Sequence, residues 1–466
     1  MEVKFVNRVR ELTFLNTLYK TKSFQFVPIY GRRRIGKTEL VKQFIKDKKG
    51  VYYLADAMDE KNQLRILGRQ VGEAFGDLIL QERGFGDWYS FFRYIQTKSQ
   101  SMGEKRVMAI DEFPYLARTN PAISSVFQKG IDEYLNDSDV FLILLGSSIG
   151  MMEKEVLNYK APLYGRRTGS LKVEEMLFGE LQDFFPHKTW EQLMDIYTVC
   201  GVVPGYLGKH DQEENFDQFL LSKVFNKGSF FYEEAEMVLR EDFYEPKTYY
   251  SILRAIALGR RRLSEIMDET GLEKSKISKY LKVLQDLLVV ERDVPITEKN
   301  IEKSKKGLFQ IRDRYLNFWF RFILGNKNYI EIDRFDAIFP QTLQKIRDFQ
   351  GFLFEDICRQ YLLLNVERYR FDALGRWWDK EEEIDLVAIN QQDQEFLFAE
   401  CKYRNQPTDV DVLTNLERKI KKVSWHKPFA AARLIIFSKN GFTDRLLQKQ
   451  AQDNRIELIS FQNMFL

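Results

Sequence analysis

The 466-residue sequence contains little cysteine or histidine, has no long apolar run and carries almost no net charge. Its three Cys and three His residues show neither a CxxC nor an HxxxH spacing, which argues against a disulfide framework and a structural zinc site. We therefore expect carboxylates to hold any metal. The longest apolar stretch, residues 140–145, is far shorter than the roughly 20 residues that span a bilayer, and the charged N-terminus is unlike a signal peptide. The sequence predicts a cytoplasmic protein with no membrane partner.

The near balance of 71 basic and 68 acidic residues gives a net charge of +3, which argues against indiscriminate coating of nucleic acid. Hydrophobic residues make up 44% of the chain and aromatic residues 14%, so there is enough apolar material for several cores. A chain of this length is too large for one core. In the first part, short apolar strand patterns alternate with helical patterns, which is typical of a parallel sheet. We predict a multidomain α/β protein.

Residues 31–38 match the phosphate-binding motif GxxxxGK[ST], between an apolar strand pattern and a helical pattern. The glycines let backbone N–H groups wrap phosphates, and the helix N-terminus adds its positive dipole end. Lys37 is placed to reach the β- and γ-phosphates, and the Thr38 hydroxyl to bind Mg²⁺. The motif therefore predicts an ATP and Mg²⁺ site. Its predicted nucleotide contacts are Gly31, Arg32, Arg33, Arg34, Ile35, Gly36, Lys37, Thr38 and Glu39.

A second apolar strand pattern, residues 107–110, ends in Asp111 and Glu112. This is typical of a Walker B element, in which Asp111 holds Mg²⁺ and Glu112 polarises the attacking water. An acidic helix cap after a buried strand is the alternative. A third strand pattern leads into Ser147, which we expect to sense the γ-phosphate, while ordinary turn chemistry explains a serine there equally simply.

Two consecutive arginines, Arg166 and Arg167, follow in a loop after these strands. From such a loop, guanidinium groups can reach transition-state phosphates in cis or from a neighbouring subunit of a homo-oligomer. Solvated surface arginines are the equal alternative.

The ordered segments GRRRIGKTEL, AIDEFPYL, LGSS, APLYGRRTGS and GVVPGYL resemble the archaeal-type ATPases, a branch of the signal-transducing STAND group related to AAA+ proteins. The resemblance covers about residues 1–250 and implies a switch ATPase. It also implies that Pro204 lies by the nucleotide base. Val202 and Val203 precede this proline where the family usually has a paired glycine.

Residues 264–284 predict a helix, a glycine turn and a second helix, with Ser264 as the first N-cap. Apolar Ile277, Leu281 and Leu284 fall on one face of the second helix, and four lysines are expected to face solvent: Lys274, Lys276, Lys279 and Lys282. Residues 287–290 predict a strand, and the charged segment 298–307 a wing or linker. A basic recognition helix suits phosphate contacts with DNA. An intramolecular hinge that relays the nucleotide state is the equal alternative.

Two strand patterns near the C-terminus, residues 383–389 and 396–402, flank a polar turn and predict a hairpin. The midpoint between positions 385 and 400 falls inside that turn, so antiparallel pairing places Asp385 opposite Glu400. Strand alternation places Lys402 on the same face as Glu400. Facing carboxylates on an otherwise apolar strand are costly to bury without a cation, and Mg²⁺ removes that cost. The alternative is a surface hairpin held by salt bridges.

This D…ExK arrangement resembles the PD-(D/E)xK nuclease superfamily, and the segments RYLNFWFRFI, FEDI, RWWDKEEEIDLVA and AECKY resemble the nuclease-like domain commonly fused to archaeal-type ATPases. The resemblance implies a restriction-endonuclease-like α/β fold. It also implies that Asp385 and Glu400 hold the divalent ion with support from Glu355, and that Lys402 orients the nucleophilic water or stabilises phosphorane charge. Trp377 and Trp378 are expected in the core, and a nucleic-acid stacking surface is the alternative.

We predict five segments: a P-loop ATPase core at 1–170, a helical lid at 171–245, a winged helix-turn-helix at 246–306, a helical connector at 307–345 and a nuclease-like domain at 346–466. The primary hypothesis is a STAND-type ATPase that regulates a Mg²⁺-dependent nuclease acting on DNA. The second is a non-catalytic ATP-dependent regulator that uses the nuclease-like domain as a scaffold. A transporter or motor ATPase is disfavoured, because nothing resembles a membrane partner or a second nucleotide site.

Overall fold

The computed structural model describes residues 5–243, 245–424 and 431–465, which divide into two units. Unit 1 comprises Met1–Met176 and Val203–Lys209, and unit 2 comprises Leu177–Val202 and His210–Leu466. Each unit has its own five-stranded sheet. No helix among the described residues has both the length and the apolarity that crossing a bilayer requires.

The sheet of unit 1 is parallel throughout, in the order β2-β3-β4-β1-β5. Its strands are β1 Gln25–Tyr30, β2 Gly50–Leu54, β3 Arg106–Asp111, β4 Val140–Gly146 and β5 Leu171–Lys172. Strands β3 and β4 are buried along their whole length, because helices cover both faces of a parallel sheet. The first four strands lie within one residue of the strand patterns that the sequence shows at 24–30, 50–54, 107–110 and 141–145, which confirms the parallel-sheet ATPase core.

The helices of unit 1 connect these strands and cover the sheet. They are α1 Val9–Tyr19, α2 Lys37–Ile45, α3 Glu60–Phe75, α4 Leu78–Arg83, α5 Trp88–Met102, α6 Phe113–Thr119, α7 Ile123–Gly130, α8 Ile149–Met152 and, later in the chain, α11 Pro204–Leu207. The apolar faces of α3, α5 and α7 pack with the strands into one core, where Phe91, Phe92 and Phe127 are fully buried.

Unit 2 begins with helices and continues into a winged helix. The first helices are α9 Leu181–Phe184, α10 Trp190–Cys200, α12 Phe216–Phe219 and α13 Phe230–Asp242, and the winged helix comprises α14 Pro246–Ala257, α15 Leu263–Thr270, α16 Lys274–Asp286, β6 Val290–Asp293 and β7 Leu308–Ile311. Strands β6 and β7 pair antiparallel, so the charged segment between them is a wing. Hereafter we call residues 294–307 the wing.

Two details of the winged helix differ from the prediction. Ser264 is not the N-cap: α15 begins one residue earlier, after Arg262, and the Glu265 carboxylate accepts the backbone N–H of Arg262 at 2.9 Å. The strand begins at Val290 rather than Leu287, because α16 continues to Asp286 and Leu288 turns the chain with φ 57°. Ile277, Leu281 and Leu284 are buried as predicted, and the four lysines of α16 are exposed.

The rest of unit 2 is a long helix packed on a mixed sheet in the order β12-β11-β10-β9-β8. The elements are α17 Arg314–Phe318, α18 Lys327–Glu331, α19 Phe339–Leu364, α20 Val366–Tyr369, β8 Ala373–Trp378, β9 Glu383–Asn390, β10 Glu395–Lys402, α21 Val410–Ile420, β11 Ala431–Ser438, α22 Asp444–Gln452 and β12 Ile456–Ser460. Strands β8, β9 and β10 run antiparallel, whereas β10, β11 and β12 run parallel. Trp377 and Trp378 are buried, as expected.

Candidate functional site

The phosphate loop joins the end of β1 to the start of α2, and its backbone requires glycine. Gly36 has φ 93°, in the left-handed region that a side chain disfavours. A Cβ atom at Gly31 would lie 2.3 Å from the carbonyl oxygen of Val173, which leaves no room for a side chain. Arg34 also adopts a positive φ of 64°. The conformation therefore explains both glycines of the motif.

Lys37 and Thr38, the last two residues of the motif, make different contacts. Lys37 is buried, and its ammonium group donates to the carbonyl oxygens of Gly31 at 2.8 Å and Arg32 at 2.9 Å. The Thr38 hydroxyl donates to Asp111 Oδ2 at 2.6 Å, which joins the loop to the end of β3. A hydroxyl and a carboxylate placed together in this way suit the Mg²⁺ of a bound nucleotide.

Asp111 is buried and has a partner that the sequence reasoning missed. The Tyr52 hydroxyl donates to Asp111 Oδ2 at 2.6 Å, and the backbone N–H of Glu112 donates to Oδ1 at 2.8 Å. Burial and the Asp111 carboxylate raise the pKa of Tyr52 well above its ordinary value, so its hydroxyl stays protonated as a donor. The sequence could have indicated this contact only through the position of Tyr52 in β2, the strand that pairs with β3.

Glu112 follows Asp111 in the left-handed region, with φ 52°. The Ser147 hydroxyl lies 2.7 Å from Glu112 Oε1 and 2.9 Å from Oε2, so it donates to this carboxylate. The carboxyl ends of neighbouring strands β3 and β4 thus bring together the predicted water-polarising residue and the predicted γ-phosphate sensor. Ser147 contacts the phosphate site through Glu112.

Pro204 lies against the phosphate loop. Its Cγ is 3.7 Å from where a Cβ of Gly36 would be, and the Gly205 N–H donates to the carbonyl oxygen of Arg34 at 3.0 Å. The distant segment 203–209 therefore packs on the loop, in the same unit, despite the valines that precede it.

Arg8 is a second residue that sequence reasoning missed. It is buried, donates from Nη2 to the Ile35 carbonyl oxygen at 3.0 Å and pairs with Glu11 at 2.8 Å. Nothing in the charged N-terminal segment marked it. Glu39, another predicted nucleotide contact, is exposed, and its side chain pairs with Lys42 at 3.2 Å. Only its backbone N–H, in the first turn of α2, remains as a group that could contact phosphate.

The two loop arginines are held by local partners. Arg166 pairs with Asp132 at 2.9 Å, and the Arg167 guanidinium lies over the Tyr164 ring at 4.7 Å. Neither of these contacts includes the phosphate loop.

The C-terminal hairpin has the predicted register. Ala399 pairs with Leu386 and Glu395 with Asn390, so the same register places Asp385 opposite Glu400 at the end of the ladder. Asp385 is 6% exposed and Glu400 2%. The backbone N–H of Cys401 donates to Asp385 Oδ2 at 2.8 Å.

Two lysines neutralise these carboxylates. Lys402 Nζ lies 2.5 Å from Glu400 Oε2 and 3.6 Å from Asp385 Oδ2, and Lys419 Nζ lies 2.6 Å from Glu400 Oε1. Burial and the Asp385 charge raise the pKa of Glu400, although both lysines act in the opposite direction. Lys419 was not predicted. The sequence pattern that could have indicated its burial is its position three residues after Leu416, on the apolar face of α21.

Glu355 projects from α19 to the same site and pairs with Arg376 of β8 at 3.0 Å. The atom in this ion pair is the buried Oε2, and no hydrogen bond from the described residues accompanies the ion pair. Burial raises the pKa of Glu355 to about 8; Asp385 and Glu383 also raise it, against the opposing effects of Arg376 and Lys402. The site therefore contains a carboxyl group that lacks a full set of partners.

The metal site at these carboxylates stays a prediction. Within the described ranges, no three Asp, Glu, His or Cys side chains converge closely enough to hold a metal ion. Asp385, Glu400 and Lys402 are together and Glu355 is nearby, but lysines and an arginine take the carboxylate oxygens. The donor chemistry suits Mg²⁺, because carboxylate oxygens are its usual ligands and burial raises the pKa of both Glu355 and Glu400.

A cavity of about 760 Å³ opens beside this site and is bordered by the wing. Its lining includes Glu355, Asp385 and Arg376 as well as wing residues. The wing lies against the edge strand β8: the Ile296 N–H donates to the carbonyl oxygen of Arg376 at 2.8 Å, beside Gly375. The wing is thus part of the wall of the carboxylate site.

The unit 1 fold, the phosphate loop and the Asp111–Glu112 pair define a P-loop ATPase domain. Residues 5–210 match the model of an "ATPase domain predominantly from Archaea". Residues 248–291 match "Bacterial regulatory protein, arsR family", and residues 319–421 match "Archaea bacterial proteins of unknown function". The chain thus combines an archaeal-type ATPase domain, an ArsR-type winged helix and a further C-terminal domain. A nuclease fold is not among these matches.

A relative extends over nearly the whole chain. The uncharacterized protein MJECL04 of Methanocaldococcus jannaschii is 37% identical over 425 residues, which cover 90% of this chain and 92% of that protein. The chain belongs to the same family of archaeal-type ATPases. The uncharacterized ATP-binding protein MJ0423 of the same organism is 47% identical over 47 residues, covering 10% of this chain and 80% of that protein.

Among solved structures, the chain is similar to the Walker-type ATPase PABY2304 of Pyrococcus abyssi. The TM-score is 0.54 at 19% identity, and the match covers 68% of this chain and 96% of that one. At this identity the similarity shows the fold, which agrees with the ATPase sheet described above.

Proposed function

We propose that this chain is a STAND-type switch ATPase that controls a Mg²⁺-dependent nuclease acting on DNA. The observation that carries the proposal is the register of β9 and β10, which brings Asp385, Glu400 and Lys402 together in a buried site. Carboxylates and a lysine are the groups that metal-assisted phosphodiester hydrolysis uses. The similarity to archaeal-type ATPases supplies the switch.

In the ATPase domain, Lys37 would bind the β- and γ-phosphates, and Thr38 and Asp111 would hold Mg²⁺. Glu112 would polarise the attacking water, with Ser147 fixing its carboxylate. Pro204 would contact the bound nucleotide, because its segment packs on the phosphate loop. Arg166 or Arg167 would act on phosphate only after leaving their local partners, for which a neighbouring subunit of a homo-oligomer is one route.

The winged helix would hold DNA through α16. Its four lysines are exposed, whereas Ile277, Leu281 and Leu284 are buried, which suits contacts with backbone phosphates. The docking of the wing on β8 supports a coupling between the winged helix and the carboxylate site, because a movement of the wing would change the wall of that site.

In the C-terminal site, Asp385 and Glu400 would hold the divalent ion with support from Glu355. The bound ion would supply a nucleophilic water and stabilise charge on the phosphate. Lys402 would orient that water or stabilise the phosphorane, since its ammonium group lies between both carboxylates.

A specific observation also favours the second candidate, a non-catalytic ATP-dependent regulator. Lys402, Lys419 and Arg376 already neutralise the three carboxylates, and such a network can be purely structural. Titration of Mg²⁺ into the wild type and into Asp385→Ala separates the two candidates. A nuclease site loses metal affinity in the variant, whereas a scaffold shows the same heat in both proteins.

The deciding experiment is cleavage of supercoiled plasmid and single-stranded DNA with Mg²⁺ or Mn²⁺, with and without ATP. We expect ATP-dependent cleavage by the wild type, none by Lys402→Ala, and equal ATPase rates. Lys422→Ala is the matched control, because Lys422 is a more exposed lysine that pairs with Glu381 and Glu382. Cleavage retained in Lys402→Ala would contradict its catalytic role. Absence of cleavage in every condition, with ATPase intact, would favour the regulator.

A further inference from the structure

A second cavity in unit 2, of about 640 Å³, lies at the junction between the winged helix and the helices that follow it. Its volume is in the range of small-molecule sites. It is lined by Arg261, Gln310, Asn317, Arg321, Phe349 and Phe352, among others. Gln310 and Phe352 also line the cavity beside the carboxylate site, so the two cavities adjoin.

Arg261 brings a positive charge to this cavity and forms no ion pair with a carboxylate of the described residues. Its Nη2 donates to Gln310 Oε1 at 3.0 Å, and Nε donates to the carbonyl oxygen of Phe309 at 3.4 Å. Burial lowers the pKa of Arg261, and the charge of Arg376 lowers it further, whereas the charges of Asp293, Glu355 and Glu383 raise it. Both hydrogen bonds go to neutral oxygens, so they do not neutralise the positive charge of the guanidinium group.

Arg321 also lines the cavity and brings a second positive charge, although its side chain is exposed. It lies over the Phe349 ring at 4.9 Å and forms no ion pair with any residue that the structure describes. Protein atoms packed around the guanidinium lower its pKa, and the charge of Arg261 lowers it further. Lys345 and Asp348 also line the cavity and offset one another in charge. Two guanidinium groups at one concave surface favour the binding of an anion there.

The rest of the lining suits the apolar body of a ligand. The Phe349 and Phe352 rings are nearly parallel, at 20° and 6.1 Å between centroids, and Phe322 packs edge-on against Phe349 at 5.6 Å. Beside them, the buried Oδ1 of Asn317 has no hydrogen-bond partner among the described residues. The lining thus combines two cations, aromatic faces and an acceptor that lacks a donor, which together match an organic anion with a donor group.

We propose that this cavity is an effector site for a small organic anion of mononucleotide size. Arg261 and Arg321 bind its phosphate or carboxylate, and Phe352 contacts its flat apolar part. Arg261 and Gln310 belong to the winged helix, whereas Arg321 and Phe352 belong to the helices after it, so a bound ligand ties the two together. This site goes beyond the proposed function: it supplies a trigger for the switch and depends on neither ATP hydrolysis nor DNA cleavage.

The test is calorimetric titration of AMP into the full chain carrying Lys37→Ala, without added metal. AMP is a suitable probe because it lacks the β- and γ-phosphates that the phosphate loop wraps. We expect saturable binding at one site, weakened at least about tenfold by Arg261→Gln with Arg321→Gln, because charge-assisted hydrogen bonds are lost. Arg260→Gln is the matched control: this adjacent exposed arginine should leave the affinity unchanged. Circular dichroism confirms that each variant is folded.

Three outcomes would overturn the proposal. The first is no binding of AMP. The second is equal binding of AMP by the double variant. The third is that the double variant binds a single-stranded oligonucleotide more weakly than the wild type does but binds AMP equally well. That result would make the cavity part of a nucleic-acid-binding surface. Because binding is read without metal or ATP, none of these results depends on whether the C-terminal site cleaves DNA.

Discussion

The Ser147 hydroxyl holds the Glu112 carboxylate, at 2.7 and 2.9 Å from its two oxygens. The two residues come from the ends of neighbouring strands, so the geometry of the parallel sheet fixes their meeting. This contact places the residue that would polarise water next to the residue predicted to sense phosphate. Replacing Glu112 by glutamine therefore changes the chemistry of this group but keeps its shape.

We expect Glu112→Gln to keep ATP binding and lose hydrolysis. The amide has the shape of the carboxylate and can still accept from Ser147, but it cannot act as a base. The kcat for ATP should fall about 100-fold or more, with the ATP Kd and the melting temperature unchanged. Steady-state ATPase assays and calorimetry measure the two effects. Hydrolysis near the wild-type rate would assign the water to another residue.

Lys37→Ala should abolish nucleotide binding. The Lys37 ammonium group is buried against the carbonyl oxygens of the loop, where it would meet phosphate. Losing a charge-assisted contact of this kind should raise the ATP Kd at least about tenfold. Lys42→Ala is the matched control, since Lys42 lies in the same helix but is exposed. Equal ATP affinity in the two variants would contradict the assignment.

Features that depend on residues close together in the sequence could be predicted, whereas contacts that depend on how distant elements pack could not. The hairpin register followed from where the polar turn lies, and the phosphate loop from its glycine spacing. Lys419 reaches Glu400 from a helix that begins after β10, and Arg8 reaches Ile35 from the N-terminal segment. Such contacts depend on how elements pack, and a lone charged residue has no local pattern that records its partner.

The metal prediction shows the same limit. The hairpin pattern placed Asp385 opposite Glu400, but the sequence did not show that Arg376 would pair with Glu355 or Lys419 with Glu400. Whether cations from the protein or a divalent ion neutralise a buried carboxylate is decided by distances, which the sequence does not contain.

Lys419→Met separates a metal site from a structural network. Lys419 neutralises Glu400, which is 2% exposed, so its loss should reduce the free energy of unfolding by about 3 kcal/mol. If the carboxylates bind Mg²⁺, millimolar Mg²⁺ should restore part of this stability in chemical denaturation. Lys422→Met, at an exposed pair, should change little. A loss that Mg²⁺ does not reduce would favour the structural network.

The lysines of α16 should set the salt dependence of DNA binding. Replacing Lys274, Lys276 and Lys279 together by Ala should weaken binding about equally across DNA sequences and reduce the slope of log K against log salt by about three. A control variant replaces three exposed lysines of unit 1: Lys20, Lys22 and Lys46. Fluorescence anisotropy at several salt concentrations gives the slopes. Equal slopes in both variants would instead assign α16 the role of an internal hinge.

His210 should make the chain less stable in mild acid. It is 7% exposed, near Phe185 and Phe219, and burial lowers its pKa to about 4 from an ordinary value of 6.5. Lys188 and Lys223 also lower the pKa, whereas Glu214 and the Asp211 carbonyl oxygen raise it. Between pH 6.5 and 4 the unfolded chain binds a proton that the folded chain does not. The free energy of unfolding should therefore fall as the pH falls through this window, by about 3 kcal/mol from this residue.

The comparison of His210→Gln with the wild type isolates that contribution from the carboxylates, which titrate in both proteins. The wild type should lose stability more steeply than the variant from pH 6.5 to 4 in urea denaturation, and the two slopes should become parallel below pH 4. His187→Gln, at an exposed histidine, is the matched control and should follow the wild type. Parallel curves for His210→Gln and wild type throughout would mean that His210 accepts its proton in the folded chain, and hence that water reaches this ring.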